Sequence, residues 1–489
     1  MRARSRMLRG TALAAVIGLA LVACGDDDDN ATSNTTAAPA AGGTETTASS
    51  GGTETTAGGA TETSGGAETT SGASTGGGAT PASIKVDPSL KGKKVEIFGA
   101  YADEEADHMR ETLQPFIDAT GIDVQYVAAA DFNTEITTRV AGGQIPDISV
   151  FPQPGLLLDI AKQTKAVPVD QYLDMATLEK SLIPGFLDAT KADDGKVYGL
   201  PVRMAVKSAL WYPVPGFKDK GYALPKSDKE LSALEDKIIS DDGIPWCLGM
   251  ESGAATGWPG TDWIEEYMLR INGPDVYDKW VKNEVKFNSP EVRKAFEKFQ
   301  ALWSKPDNVV GGTQGILSLN FGDSPADLFT DPPGCYLHRQ GNFITGFFPD
   351  DVQSDLDAHV GVTYFPVVEG GYAGKPVLAG GDLAMLTKDS PAARAVMQFL
   401  STNTYGTEWA SAGGWLSPHK DFDPSVYPTE VEKALFKIGA EATVLRFDGS
   451  DLMPGVVGTG SFWKGMVDWI GGQRSLDQVL QSIDDSWPQ

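Results

Sequence analysis

Trp246, Glu251, Trp258, Asp262 and Trp263 fall within eighteen residues, among glycines and prolines that suggest a loop leading into a helix. Flat aromatic faces and carboxylates suit a polyhydroxylated ring, whose C–H faces pack on an aromatic and whose rim hydroxyls donate to an acid. A second account places Trp246 and Trp263 in a core and leaves Trp258 alone exposed. Further candidates stand where strands end, the place at which open α/β sheets bind ligands. Tyr101, Asp103 and Glu104 follow an apolar strand, although the two acids would also suit a helix N-terminus. Asp131 and Phe132 precede a second helix, and Phe151 and Gln153 close a third strand, with Gln153 supplying an amide. Arg203 offers a planar fork of donors for hydroxyls, with a structural salt bridge as its competing role.

The C-terminal half adds acids and aromatics after glycines. Asp382 follows Gly380-Gly381 and Trp415 follows Gly413-Gly414, where a missing Cβ permits close approach of backbone to a ligand. His338 and Arg339 come shortly after Cys335. Asp448 and Asp451, in RFDGSD, suit hydroxyl binding, a cation or a tight turn, the turn being the simplest account of Asp448 before Gly449.

Alternating strands and helices must position these groups. Val95 to Phe98 is a short apolar strand, Met109, Leu113, Phe116 and Ile117 share a helical face that Gly121 ends, and Ile122, Val124 and Tyr126 alternate as a strand. Ile136 and Val140 mark a second helix stopped by Gly142-Gly143, and Ile148 to Phe151 is the third strand. This βαβαβ order predicts an α/β domain with a mostly parallel sheet. Ser289-Pro290 and Ser390-Pro391 each combine an N-cap serine with proline at the first helical position. Val362 to Phe365 and Leu383 to Leu386 read as short strands, with Gly380-Gly381-Asp382 between them. Two helices follow near the end, one with Phe462, Trp463 and Met466, the next with Leu476, Val479, Leu480 and Ile483.

Arg2, Arg4, Arg6 and Arg9 precede an apolar run that ends in Leu21-Val22-Ala23-Cys24. This order resembles the lipobox of bacterial lipoproteins, with residues 1–23 as signal peptide; lipidation of Cys24 would anchor the mature chain outside the cytoplasmic membrane. Residues 24–82 then form a linker rich in Gly, Thr, Ser and Ala, with too little apolar surface to fold and a reach of about 40 Å as a coil. Lys and Arg number 40 against 66 Asp and Glu, and the net charge of −26 disfavours nucleic acid, anionic lipid and phosphorylated ligands. Four unclustered histidines predict no metal site, and no cofactor is expected. With Cys24 used by the anchor, Cys247 and Cys335 remain as one pair, expected to be bridged across a loop of 89 residues, the alternative being two separate thiols.

The stretches VEIFGAYADEEADHMRETLQPFIDATGIDVQY, PDISVFPQPGLLLDIA and DGKVYGLP resemble the successive marks of the family 1 extracellular solute-binding proteins of carbohydrate ABC transporters, from about Lys93 to the C-terminus. Within that family, PWCLGMESGAATGWPGTDWIE, GCYLHRQGNF and RFDGSDLMPG look closest to the α-glucoside-binding subgroup. The resemblance implies a two-lobed α/β clamshell of the type II periplasmic-binding-protein-like class, with discontinuous lobes and an interlobe ligand cleft. It would divide residues 83–489 into an N-lobe of about 88–204 and 382–440 and a C-lobe of about 205–381 and 441–489. It further implies a monomeric, non-enzymatic receptor that hands a neutral sugar such as maltose, trehalose or sucrose to permease subunits. It gives Trp463 the place of a stacking aromatic, where core packing would serve nearly as well. Glucosylglycerol, a polyol or a peptide is the alternative cargo. A surface glycoside hydrolase would draw on the same residue types, yet no motif singles out an acid and nucleophile pair.

Overall fold

β1 (Lys94–Gly99), β2 (Asp123–Ala128) and β3 (Ile148–Phe151) alternate with the helices Asp103–Thr120 and Phe132–Ala141, and β1 pairs in parallel with both other strands. The first helix buries Met109, Leu113 and Phe116 and ends at Gly121, whose φ of 69° is the left-handed cap that favours glycine. These elements come from a computed structural model that describes residues 84–129 and 131–488. The signal segment, Cys24 and the linker lie outside the described residues.

The remaining strands are β4 (Gly199–Val206), β5 (Ala209–Pro213), β6 (His338–Arg339), β7 (Val360–Tyr364), β8 (Pro376–Leu386) and β9 (Val444–Phe447). The larger sheet has the order β2-β1-β3-β8-β4, with β9 alongside the start of β8. β8 is antiparallel to both β3 and β4, so this sheet is mixed rather than mostly parallel. The glycine pair before Asp382 is not a loop between two strands, because β8 runs through it for eleven residues. The register instead shifts on β4 between Pro201 and Arg203, opposite Leu383 and Asp382, and Gly381, paired with Met204, approaches so closely at its φ of 149° that a Cβ would meet the Arg203 carbonyl oxygen at 2.2 Å. A second, antiparallel sheet has the order β6-β5-β7.

Two hydrophobic cores result. The first holds the larger sheet with helices such as Pro391–Leu400 and Glu430–Ala440, and the second holds helices such as Trp258–Asn272 and Pro290–Trp303. β5 faces both, since Ala209 and Trp211 enter the first core and Leu210 the second, as a period of two requires. The chain passes between the two sheets at Lys207-Ser208, in the segment joining β7 to β8, and it leaves β9 for the second core at Asp448. Cys247 and Cys335 are joined as a disulfide, with their Cα atoms 5.6 Å apart.

Ser289 and Ser390 cap their helices as the sequence predicts, each hydroxyl accepting from the backbone N–H three residues on. Ser390→Ala is expected to cost about 1 kcal/mol. Urea unfolding should show this as a lower midpoint at unchanged slope, and an unmoved midpoint would show that the cap contributes nothing.

Candidate ligand cleft at the crossover

β4 is buried along its length except at Ala205, which is half-buried, as are its neighbours Gly381 and Asp382 in β8. Alternation places Arg203, Ala205 and Lys207 on one face of this strand, with Asp382 paired to Arg203 and Gly380 to Ala205. The small residues Ala205 and Gly380 therefore lie on one face between two cations. Gly380 is part of that design, since a Cβ there would meet the Lys207 side chain at 3.2 Å.

At one end, Arg203 donates to Glu105 at 2.7 Å and lies 3.9 Å from the Asp382 carboxylate. Its guanidinium stands over the rings of Trp409 at 4.9 Å and Tyr101 at 5.4 Å, and those rings meet edge to face. Burial pushes the Asp382 carboxyl up to about 6 against the pull of Arg203. Burial would lower the Arg203 guanidinium, but Glu105 and Asp382 outweigh it and keep the group charged.

At the other end, the Lys207 ammonium donates to Asp262 at 2.9 Å and to Asp448, and it stands 5.3 Å from the centre of the Trp258 ring. Asp448 also caps the short helix Gly449–Leu452 and accepts from the Ser450 hydroxyl at 2.8 Å. That hydroxyl accepts in turn from the indole N–H of Trp463 at 3.3 Å. Burial pushes Asp262 up to about 7 although Lys207 opposes it, whereas Lys207 outweighs burial at Asp448 and holds that carboxyl below its usual range. Gly257, at a φ of 117°, lets the chain pass so close to the Trp463 backbone that a Cβ would lie 2.3 Å from its carbonyl oxygen. Trp258 and Trp463 are both half-buried there, with Phe321 and Phe343 against the Trp258 ring.

Asp262, Glu265 and Asp448 offer oxygens within 4.8 Å of one another, a spacing that would suit a cation, and the Lys207 ammonium already pairs with two of them. Gln153 stands just before the helix Pro154–Gln163, which packs on Asp451 through Gly155, and its side-chain oxygen is buried without a hydrogen bond. Depressions of about 720 Å³ around Arg293 and Arg474 and about 120 Å³ around Asp228 and Lys298 share no residue with either cluster. The first is lined by polar and charged side chains with no aromatic among them, so the chemistry that converges is at the crossover.

Several candidates have other work. Asp103 and Glu104 are exposed in the first turn of their helix, as acids at a helix N-terminus are, and the acid that reaches Arg203 is Glu105. Asp131 is exposed, while Phe132 and Phe151 are spent on each other in the core, 5.2 Å apart. Trp263 stacks on Phe299 and meets Trp246 edge to face, and Trp415 is buried between Tyr405 and Phe422. Burial takes His338 down to about 4, and its neutral ring donates from Nδ1 to the Cys247 carbonyl at 2.9 Å. Arg339 is buried on Glu266 at 2.7 Å, and Glu251 shapes its own loop by accepting from Gly253 and Asn320. Tyr101, Arg203, Asp382, Trp258, Asp262, Asp448, Asp451, Trp463 and Gln153 remain grouped about the crossover.

A mixed α/β chain with two cores and its polar and aromatic groups gathered where the strands cross belongs to the class of two-lobed, type II periplasmic-binding-protein folds. The model of the bacterial extracellular solute-binding proteins matches residues 106–407, and the chain belongs to that family. It is 43% identical over 397 residues to the osmoprotective compounds-binding protein GgtB of Synechocystis sp., covering 81% of this chain and 93% of that one. It is 39% identical over 417 residues to the alpha-glucosides-binding periplasmic protein AglE of Rhizobium meliloti, covering 84% and 90%. The fold matches that of the bacterial solute receptor AcbH with a TM-score of 0.67 at 19% identity, over 80% of this chain and 98% of the other.

Proposed function

We propose that this chain is the solute-capturing component of an ABC importer and that it holds a neutral α-glucoside over Ala205 and Asp382. The observation that carries this reading is the pair of cation, carboxylate and aromatic clusters at either end of one small-residue floor. Lys207 lies four residues beyond Arg203, just past the end of β4, or about 13 Å along an extended chain. Asp382 and Asp451 accept from hydroxyls, Arg203 donates, and Trp258 and Trp463 cover the C–H faces. Asp382, Asp262 and Asp448 are engaged with cations, which favours holding a ligand over an acid and nucleophile pair. The lobe of the larger sheet then closes on the lobe of the second core, with lipid at Cys24 as the tether and a permease as the recipient. Among the described residues no helix is long and apolar enough to cross a membrane. The alpha-glucosides-binding relative supports the cargo, and the relative that binds osmoprotective compounds favours glucosylglycerol as the second reading.

A thermal-shift screen of the purified protein against maltose, trehalose, sucrose, glucosylglycerol and a short peptide pool tests the reading. A ligand at 100 times its dissociation constant stabilises by about 2.7 kcal/mol, a clear rise in midpoint. A rise with peptides alone would overturn the carbohydrate assignment. Glu105→Gln removes the anionic partner of Arg203 from a half-exposed site, so affinity for the sugar is expected to fall by up to about fivefold. An unchanged affinity would mean that Arg203 is positioned without it.

A further inference from the structure

Five carboxyls and three cations meet where the chain crosses between its cores. Asp262, Glu265, Glu266 and Arg270 come from the helix Trp258–Asn272, Asp448 and Asp451 from the turn after β9, Lys207 from the link between β4 and β5, and Arg339 from β6. Lys207 pairs with Asp262 and Asp448, Arg339 with Asp262 and Glu266, and Arg270 with Glu266. All of these groups except Asp451 are buried. Two negative charges are thus left without a counter-charge, in a place where a carboxylate takes a proton rather than stay charged. The atoms that would carry it are visible: Asp262 Oδ2 and Glu265 Oε2 are buried and make no hydrogen bond. A proton on Glu265 has oxygens of Asp448 and Asp262 within reach, all three groups lying within 4.8 Å.

We propose that this crossover cluster holds protons at neutral pH and that solute capture, on the receptor reading given above, takes up a further fraction of a proton. Lys207, 5.3 Å from the centre of the Trp258 ring, and the half-buried Asp451 are the members of the cluster nearest the proposed ligand. A sugar covering Trp258 removes water from that side and makes the charged carboxyls still less favourable.

Burial, with Asp448 and Asp262 adding to it, raises Glu265 well above the ordinary carboxyl range, and burial and Asp448 do the same to Asp451. Asp262 stands at about 7. A carboxyl raised by folding contributes stability that is complete below the ordinary range and is lost as pH rises through its folded value, here about 7 for Asp262. Asp448, held low, acts in the opposite sense, and its contribution is lost only in strong acid. Tyr277 faces the cluster from the helix Pro274–Val281 and Asp382 from β8; burial raises both, and Tyr277 stays neutral throughout this window. The buried His338 and His419, both taken down to about 4 by burial, do not titrate there.

Calorimetric titration of the purified chain with maltose, trehalose and sucrose at neutral pH, in phosphate and in Tris, reads the proton directly. The two buffers differ in ionisation enthalpy, so uptake appears as a difference in binding enthalpy. The expected result is such a difference, with affinity falling by up to about tenfold per pH unit above neutrality for one full proton. Glu265→Gln fixes the neutral form while keeping an acceptor for the Ser450 N–H, and it is the variant for the stability comparison. Equal enthalpies in the two buffers would overturn the coupling. Unfolding midpoints across the same pH range need no ligand: the wild type should fall more steeply with rising pH than Glu265→Gln, and parallel curves would overturn the proton cluster itself. If none of the sugars binds, the receptor reading fails, while the stability curves still decide the cluster.

Discussion

Replacing Lys207 by methionine is expected to lower folding stability by about 3–5 kcal/mol at neutral pH, the largest effect of any single change considered. The ammonium is the shared partner of Asp262 and Asp448, both buried, and removing one side of a buried ion pair strands the other. Methionine fills similar space without the charge, so the loss is electrostatic rather than a cavity. Lys207 also spans two segments that lead between the cores, one after β4 and one after β9, so the variant loosens the crossover itself. Acidification should return part of the loss, because Asp448 then accepts a proton that Lys207 now makes unfavourable. Combining Lys207→Met with Asp448→Asn should do the same at constant pH. Urea unfolding measures both, and a wild-type midpoint in Lys207→Met would show that the triad contributes nothing to the fold.

Asp382→Ala is expected to weaken sugar binding by about 1.5–3 kcal/mol, or roughly 10- to 150-fold, with the fold intact. The carboxylate is half-buried on the cleft floor and bears on Arg203 from 3.9 Å, so it retains acceptor capacity for hydroxyls. Arg203 keeps its shorter contact with Glu105 at 2.7 Å in the variant, which is why stability should survive. Equilibrium titration with the best sugar from the thermal-shift screen is the measurement. Unchanged affinity in a folded variant would move the ligand off this floor.

Much of this architecture is legible in the sequence, and what is not has identifiable causes. The first three strands, their helices and the two Ser-Pro caps follow from apolar periodicity and local capping chemistry, which need no long-range information. β8 is harder to read, because glycines inside a strand look like a break until the partner strand is known; only the close approach of β4 explains why Gly381 carries no side chain. Asp382 stands out through its glycines, whereas Lys207, four residues beyond Arg203 and just past an apolar strand, carries no local mark. Glu105 was missed for a related reason: first-turn acids all look like dipole partners, and only the helical rotation decides which one turns inward. Trp263, Trp415, Phe132 and Phe151 illustrate the converse, since an aromatic in a glycine-rich or strand-end setting suits a core as well as a ligand.

A neutral α-glucoside held between Arg203 and Lys207 must bind saturably and must depend on Asp382. Isothermal titration of the purified protein with maltose, trehalose, sucrose and glucosylglycerol, in parallel with Asp382→Ala, tests it most directly. The expected result is saturable one-to-one binding of at least one of these by the wild type and its loss or strong weakening in the variant. No binding of any of them by a folded protein, or equal binding by both proteins, would contradict it.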